Sequence, residues 1–227
     1  MNRKYLFDVA LVAIIGLATI AVSVAVAADD TKSAAPAAAK ESGLKIPEMK
    51  LPPGWTEEDM KACMLAGTPG KMQALLASEA GSWQGKQTMW MAPDAPPMAS
   101  DVTSTITPVM DGRYTKVEVN GDMPGMGPFQ GFGLYGFDNV SQKFVSTWMD
   151  NHSTGIMTGT GELSSDGKQI NWTFNYNCPI AKKPVTMRQT ETVGGGNTKV
   201  LEMFGVDPKG GGGGKEFKMM RIEMTKK

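Results

Sequence analysis

The chain has 227 residues, with 23 basic and 23 acidic side chains and a formal net charge of zero at pH 7. A chain with no basic excess lacks the electrostatic footprint of a nucleic-acid binder, so we expect no nucleic-acid partner. The length is sufficient for one domain with its own hydrophobic core.

The first 28 residues predict an export signal. Arg3 and Lys4 precede an apolar run from Val9 to Ala28, and this run ends in small residues typical of a cleavage site. We expect residues 1–28 to be removed, leaving a periplasmic or secreted protein with 21 basic and 22 acidic residues and no membrane contact. An uncleaved anchor is the alternative, because the apolar run is long enough to span a bilayer.

A linker and two short helices are predicted next. Residues 29–54 are rich in Ala, Lys and Ser without an apolar period, which predicts a flexible linker. The folded domain is predicted to span residues 55–227. Thr56 is a typical N-cap before acidic residues, and Gly67 is expected to end the first helix. Pro69 then suits the first position of a second helix, which Thr68 would cap.

From Ser82 onward, segments of about eight to ten residues rich in Thr, Val, Met and aromatic side chains alternate with turn signals. No predicted helix interrupts them, which excludes parallel crossovers and favours an antiparallel up-and-down sheet. A sheet of this size tends to curl and close, so the predicted fold class is all-β, an antiparallel barrel of about ten strands. The predicted strands lie near residues 82–91, 101–110, 113–121, 129–137, 142–150, 154–163, 168–177, 184–193, 197–206 and 215–225.

The sequence contains two cysteines, Cys63 and Cys178. Export would place them in an oxidising compartment, where they could form a disulfide. Two free thiols are equally consistent with the sequence, because nothing in it sets the distance between them.

Several stretches carry a family resemblance. Gly-Ser-Trp at residues 81–83 opens the first strand directly after a helix, as in lipocalin-like barrels. Together these stretches resemble an exported bacterial family of unknown function with a predicted calycin-like barrel, and the resemblance implies a fold but no reaction. It also implies that Trp83 packs beneath Arg221 of the last strand in a cation–π contact, so that both residues are structural. The other matching stretches are residues 84–85, 89–97, 133–139, 146–151, 153–155, 187–188 and 202–204.

The single histidine lies in a polar stretch between the fifth and sixth predicted strands. The simplest interpretation of this stretch is a turn, because Asp, Asn and Ser side chains hydrogen-bond nearby backbone. A barrel of this size can also enclose one small ligand. We therefore predict a non-enzymatic barrel that binds a small hydrophobic or amphipathic molecule without a cofactor. Its predicted ligand-binding residues are Trp148, Asp150, Asn151, His152 and Arg188.

A soft-metal site is the first alternative. The chain has 18 methionines, and thioethers suit Cu(I). Met149, His152 and Met157 would be the ligands, with Met123 and Met126 as further donors. Methionine is equally an adaptable filler of hydrophobic cores.

An enzyme with its site at the barrel rim is the second alternative. His152 could serve there as a general base beside Asp150 and Asn151, with Ser153 and Arg188 close by. Adjacent strand residues point to opposite faces, however, and the G-x-S-x-G motif of hydrolases is absent from the sequence. We therefore name no catalytic residue.

Overall fold

The computed structural model describes residues 51–194 and 196–227. The predicted signal sequence, residues 1–28, and most of the predicted linker, residues 29–54, lie outside this part of the chain. No helix within it has the length and apolar character needed to cross a membrane.

Two short helices precede the strands. Helix α1 spans Glu57–Ala66 and helix α2 spans Lys71–Ala77. The Thr56 hydroxyl accepts a hydrogen bond from the Asp59 amide at 3.2 Å, and the Asp59 carboxylate accepts one from the Thr56 amide at 2.8 Å. This reciprocal capping box confirms the predicted start of α1.

The predicted start of the second helix is wrong. Gly70, and not Thr68, is the N-cap of α2, so Pro69 lies before the helix. The Gly70 amide donates to the side-chain oxygen of Gln73 at 2.8 Å, which satisfies one of the amides that a helix start leaves unpaired.

Ten strands of the described chain form one closed antiparallel barrel. Each strand pairs with its neighbours in the sequence, and the first pairs with the last, which confirms the predicted all-β up-and-down fold. The strands are β1 Gly81–Met89, β2 Met98–Val109, β3 Tyr114–Met123, β4 Gly127–Asp138, β5 Lys143–Asp150, β6 Met157–Leu163, β7 Gln169–Cys178, β8 Lys183–Thr192, β9 Thr198–Val206 and β10 Glu216–Lys226.

The helices cover one end of the barrel, which we call the closed end. Gln73 of α2 donates a hydrogen bond to the Phe137 carbonyl at 2.8 Å, and the Asn139 side chain donates to the Thr68 carbonyl at 2.8 Å. Because consecutive strands run in opposite directions, the β1–β2, β3–β4, β5–β6, β7–β8 and β9–β10 connections lie at the other end, the open end.

Trp83 fixes the closed end, but its cationic neighbour differs from the expected one. Trp83 is 1% exposed and donates from its indole nitrogen to the Glu79 carbonyl at 2.9 Å. The strand register aligns Trp83 with Lys226, whose ammonium lies 5.4 Å from the indole ring. Arg221 is paired with Thr88 instead, so the predicted contact between Arg221 and Trp83 is wrong.

Arg221 stabilises the outer surface of the closing strands. Its guanidinium lies 2.6 Å from carboxylate oxygens of both Glu202 and Glu223. Arg221 therefore lies on the outer surface of the barrel, away from Trp83.

Glycines on the inner wall make room for large rings. A side chain at Gly131 would lie 2.4 Å from Trp148, and one at Gly159 would lie 2.5 Å from Phe174. Both distances are far shorter than a van der Waals contact. Strands β4 and β6 thus carry bare backbone where the aromatic rings of Trp148 and Phe174 pack.

Substitution of Gly159 by alanine tests this arrangement. The added methyl group would overlap Phe174, so we expect Gly159→Ala to lower the free energy of unfolding by about 1–3 kcal/mol, the usual effect of overpacking. The matched control is Gly155→Ala in the nearby β5–β6 loop, where an added methyl group meets nothing within 4 Å. We expect the control to change stability by less than about 1 kcal/mol. Equal effects in urea denaturation would contradict the packing described here.

Candidate ligand-binding site

The barrel contains an internal cavity of about 200 Å³. Phe129, Trp148 and Asp150 line it toward the open end, whereas Glu191 and Lys199 line it toward the closed end. Most of the wall between these ends is apolar, and the aliphatic residues that form it are Val102, Ile106, Val117, Val119, Leu201 and Ile222.

A buried ionic cluster lies at the inner end of the cavity. The Lys199 ammonium is 2.6 Å from Glu191 and 3.6 Å from Glu79, and each of the three side chains is at most 11% exposed. The second carboxylate oxygen of Glu191 accepts hydrogen bonds from the Trp172 indole at 3.1 Å and from Gln189 at 3.4 Å. Such pairing is what buried charges require.

We call the cavity-lining residues at this end the polar floor. They are Tyr135, Gln189, Glu191 and Lys199. Because neighbours along a strand alternate in direction, Gln189 and Glu191 of β8 point to the same inner face.

The surroundings fix the protonation of two members of the polar floor. Burial lowers the pKa of the Lys199 ammonium, but the nearby carboxylates of Glu191 and Glu79 raise it by more. The net effect is a raised pKa. Burial, and then the charge of Glu191, raise the pKa of Tyr135 far above its usual value. Lys199 is therefore charged and the Tyr135 phenol is neutral at physiological pH.

Ser104 adds an unpaired polar group to the wall. This residue is 3% exposed, and its hydroxyl has no hydrogen-bond partner in the described part of the chain. A buried hydroxyl without a partner is costly. Ser104 lines the cavity, but its hydroxyl oxygen is itself buried.

Aromatic rings and one carboxylate form the outer end of the cavity. Phe129 stacks on Trp148 at a centroid distance of 6.5 Å and on His152 at 5.8 Å. Asp150 accepts hydrogen bonds from the Trp148 indole at 3.2 Å and from the His152 backbone amide at 3.0 Å. The first residues of the β5–β6 loop are therefore held against the rim, as the turn interpretation expected.

The same contacts give no catalytic triad. The Nε2 atom of His152 lies 3.2 Å from the Pro128 carbonyl oxygen, and Asp150 contacts the His152 backbone and not its ring. The Ser153 hydroxyl donates to the Gly155 carbonyl at 3.5 Å. A nucleophile, a base and an orienting group are thus not brought together here.

Four of the five predicted ligand-binding residues lie at the open end. Trp148 and Asp150 line both the cavity and a more open groove of about 610 Å³ outside it, whereas Asn151 and His152 line the groove but not the cavity. Asn151 joins the loop to β4, because its side-chain oxygen accepts a hydrogen bond from the Gln130 amide at 2.8 Å.

Arg188, the fifth predicted ligand-binding residue, lines neither the cavity nor the groove, so its prediction is corrected. Its guanidinium lies 4.0 Å from the centroid of the Phe204 ring and 2.8 Å from Glu216, on the outer face of the barrel. Alternation along β8 separates Arg188 from the inward-facing Gln189 and Glu191.

The residues suggested for a soft metal are brought together only in part. Met123 and Met157 line the cavity, and His152 lines the groove with Met157, but Met149 lies on the outer face beside Phe132. Met126 is more than half exposed in the β3–β4 turn. Among the described residues, no group of three His, Cys, Asp or Glu side chains has an arrangement that could hold a metal ion.

The two cysteines are not bonded to each other. Cys63 is exposed in α1 at the closed end, and Cys178 is buried at the end of β7 that meets the open end. Because they lie at opposite ends of the barrel, they form two free thiols and no disulfide with each other.

Sequence reasoning missed the polar floor. A signal for part of it exists, because Met187, Gln189 and Glu191 alternate along one strand face, as do Lys199 and Leu201 on the next. Two charged residues at inward positions of neighbouring strands indicate a buried pair. No comparable pattern marks Glu79, which lies in the turn after α2.

The fold and cavity define a small calycin-like barrel, a class whose interior can hold one small ligand. Within that class, the chain belongs to the family described as Protein of unknown function (DUF1579), whose profile matches residues 68–226, from just before α2 to the last strand. This confirms the resemblance to a family of unknown function with a barrel fold. No curated protein matches the chain.

Removal of the Lys199 charge tests the ionic cluster. We expect Lys199→Met to lower the free energy of unfolding by about 3–5 kcal/mol, because two buried carboxylates lose their counterion. The control is Lys86→Met, which breaks the exposed pair with Asp101 and should cost at most about 1 kcal/mol. Thermal or urea unfolding measures both variants, and a Lys199→Met protein as stable as the control would refute a paired, charged cluster.

Proposed function

We propose that this protein is a non-enzymatic binding barrel that holds one small hydrophobic or amphipathic molecule in its interior. The observation that carries the proposal is the cavity of about 200 Å³, which has an apolar wall and a polar floor. Binding pockets for small molecules typically combine these two features, since apolar walls supply affinity and a few polar groups supply orientation.

The cavity volume limits the size of the ligand. An apolar cavity of about 150 Å³ accommodates benzene, so a slightly larger space suits a single ring or a short chain of roughly eight carbon atoms. Six methionines also line the wall, and their flexible thioether side chains can adapt to different shapes. They are Met123, Met157, Met187, Met203, Met220 and Met224.

The open end offers a route to the interior. Trp148, Asp150 and Met157 line both the cavity and the groove outside the β5–β6 loop. Movement of these side chains would join the two spaces. A ligand would therefore pass Trp148 and Asp150, two of the predicted ligand-binding residues, and its final contacts would lie deeper inside the barrel.

We further propose that the protein acts outside the cytoplasm, in the periplasm or as a secreted protein. The support is the charged start, apolar run and small-residue ending of residues 1–28. A binding barrel in such a compartment would carry or sequester a small molecule.

Titration with 1-octanol tests the binding function. Because Trp148 lines the cavity, we expect saturable changes in tryptophan fluorescence with one molecule bound per chain. Val119→Phe should weaken binding at least tenfold, since the larger ring would fill the cavity that Val119 lines.

The control for this experiment is Val206→Phe, the same substitution at a half-exposed position near the open end. It should bind 1-octanol as the wild type does. Binding that survives Val119→Phe unchanged would locate the ligand elsewhere, and the absence of saturable binding of 1-octanol or other ligands of this size would argue against the function.

A further inference from the structure

The charges that line the cavity are unbalanced. Asp150 at the outer end and Glu191 at the floor supply two carboxylates, whereas Lys199 is the single basic residue among the cavity-lining residues of the described chain. Lys199 also pairs with Glu79, which is not among the cavity-lining residues. The protein therefore presents more negative than positive charge to a molecule inside the barrel.

Lys199 is poorly placed to receive an anion. Its ammonium lies 2.6 Å from Glu191 and 3.6 Å from Glu79, and its side chain is only 5% exposed. A bound carboxylate would be a third negative group at one buried ammonium. Like charges repel strongly where water is excluded, so this arrangement disfavours fatty acids and similar anions.

The neutral polar groups of the cavity are suited to a hydrogen-bond donor. The oxygens of Tyr135 and Gln189 belong to the polar floor with Glu191 and can accept hydrogen bonds. An ammonium group, with three donors and one positive charge, complements such a surface.

We infer that the cavity selects small amphipathic amines. The ammonium would lie at the polar floor near Glu191 and Tyr135, and the apolar part would extend along the aliphatic wall toward Phe129 and Trp148. This inference rests on the proposed binding function and specifies the ligand class of the same cavity.

Three ligands with the same chain length test the inference: octylamine, 1-octanol and octanoate. Calorimetric titration of the full-length protein at pH 7 should give the tightest binding for octylamine, at least tenfold weaker binding for 1-octanol and the weakest for octanoate. Octanoate that binds as tightly as octylamine would overturn the inference and leave the proposed function intact. Failure of all three ligands to bind would instead count against the proposed function itself.

Two charge-neutralising variants separate the cavity from the surface. Glu191→Gln should reduce the preference for octylamine over 1-octanol at least tenfold, because it removes the carboxylate at the floor. Glu216→Gln removes an equal charge from the outer face, where Glu216 pairs with Arg188, and should leave the preference unchanged. An equal loss of preference in both variants would overturn the inference. If Glu191→Gln does not fold, the order of the three ligands on the wild type remains decisive.

Discussion

The ion pair between Lys199 and Glu191 is the interaction on which the interior depends. It joins β9 to β8, and its extensions reach Glu79 in the turn after α2 and Trp172 on β7. The cluster thus attaches the helical cap to the barrel wall. Apolar side chains often replace a buried ion pair without loss of stability, so stability alone does not account for these charges. Their position at the cavity floor gives them a second role, which is to set the polarity that a ligand meets.

The shape of the cavity follows from the distribution of side-chain size around the barrel. Glycines at 131 and 159 leave bare backbone against which the rings of Trp148 and Phe174 lie. Large aromatic residues therefore cover the wall on that side without filling the centre. The opposite wall has aliphatic residues and four of the six cavity-lining methionines, whereas Met157 and Met187 lie beside the rings. Flexible thioethers next to rigid rings suit an interior that is structured but adaptable.

Local patterns predicted the strands well, because alternation and turn residues are properties of neighbouring positions. Ile170, Trp172 and Phe174 are all buried on one face of β7, as their spacing indicates. Contacts between strands that are distant in the sequence could not be predicted in this way. The sequence does not set the register of the last strand against the first, so it could not show that Lys226 and not Arg221 reaches Trp83. The sequence also could not show that Arg188 faces outward, toward Glu216, whereas Glu191 of the same strand lines the cavity.

The proposed function depends on an apolar space inside the barrel, next to a charged floor. Diffraction from crystals of the protein under xenon pressure tests this most directly, because xenon occupies apolar cavities of this size. We expect xenon density inside the barrel, bounded by Val119, Leu201 and Ile222 and separated from the Lys199–Glu191 pair. An interior filled by side chains, with xenon density confined to the outer surface, would contradict it.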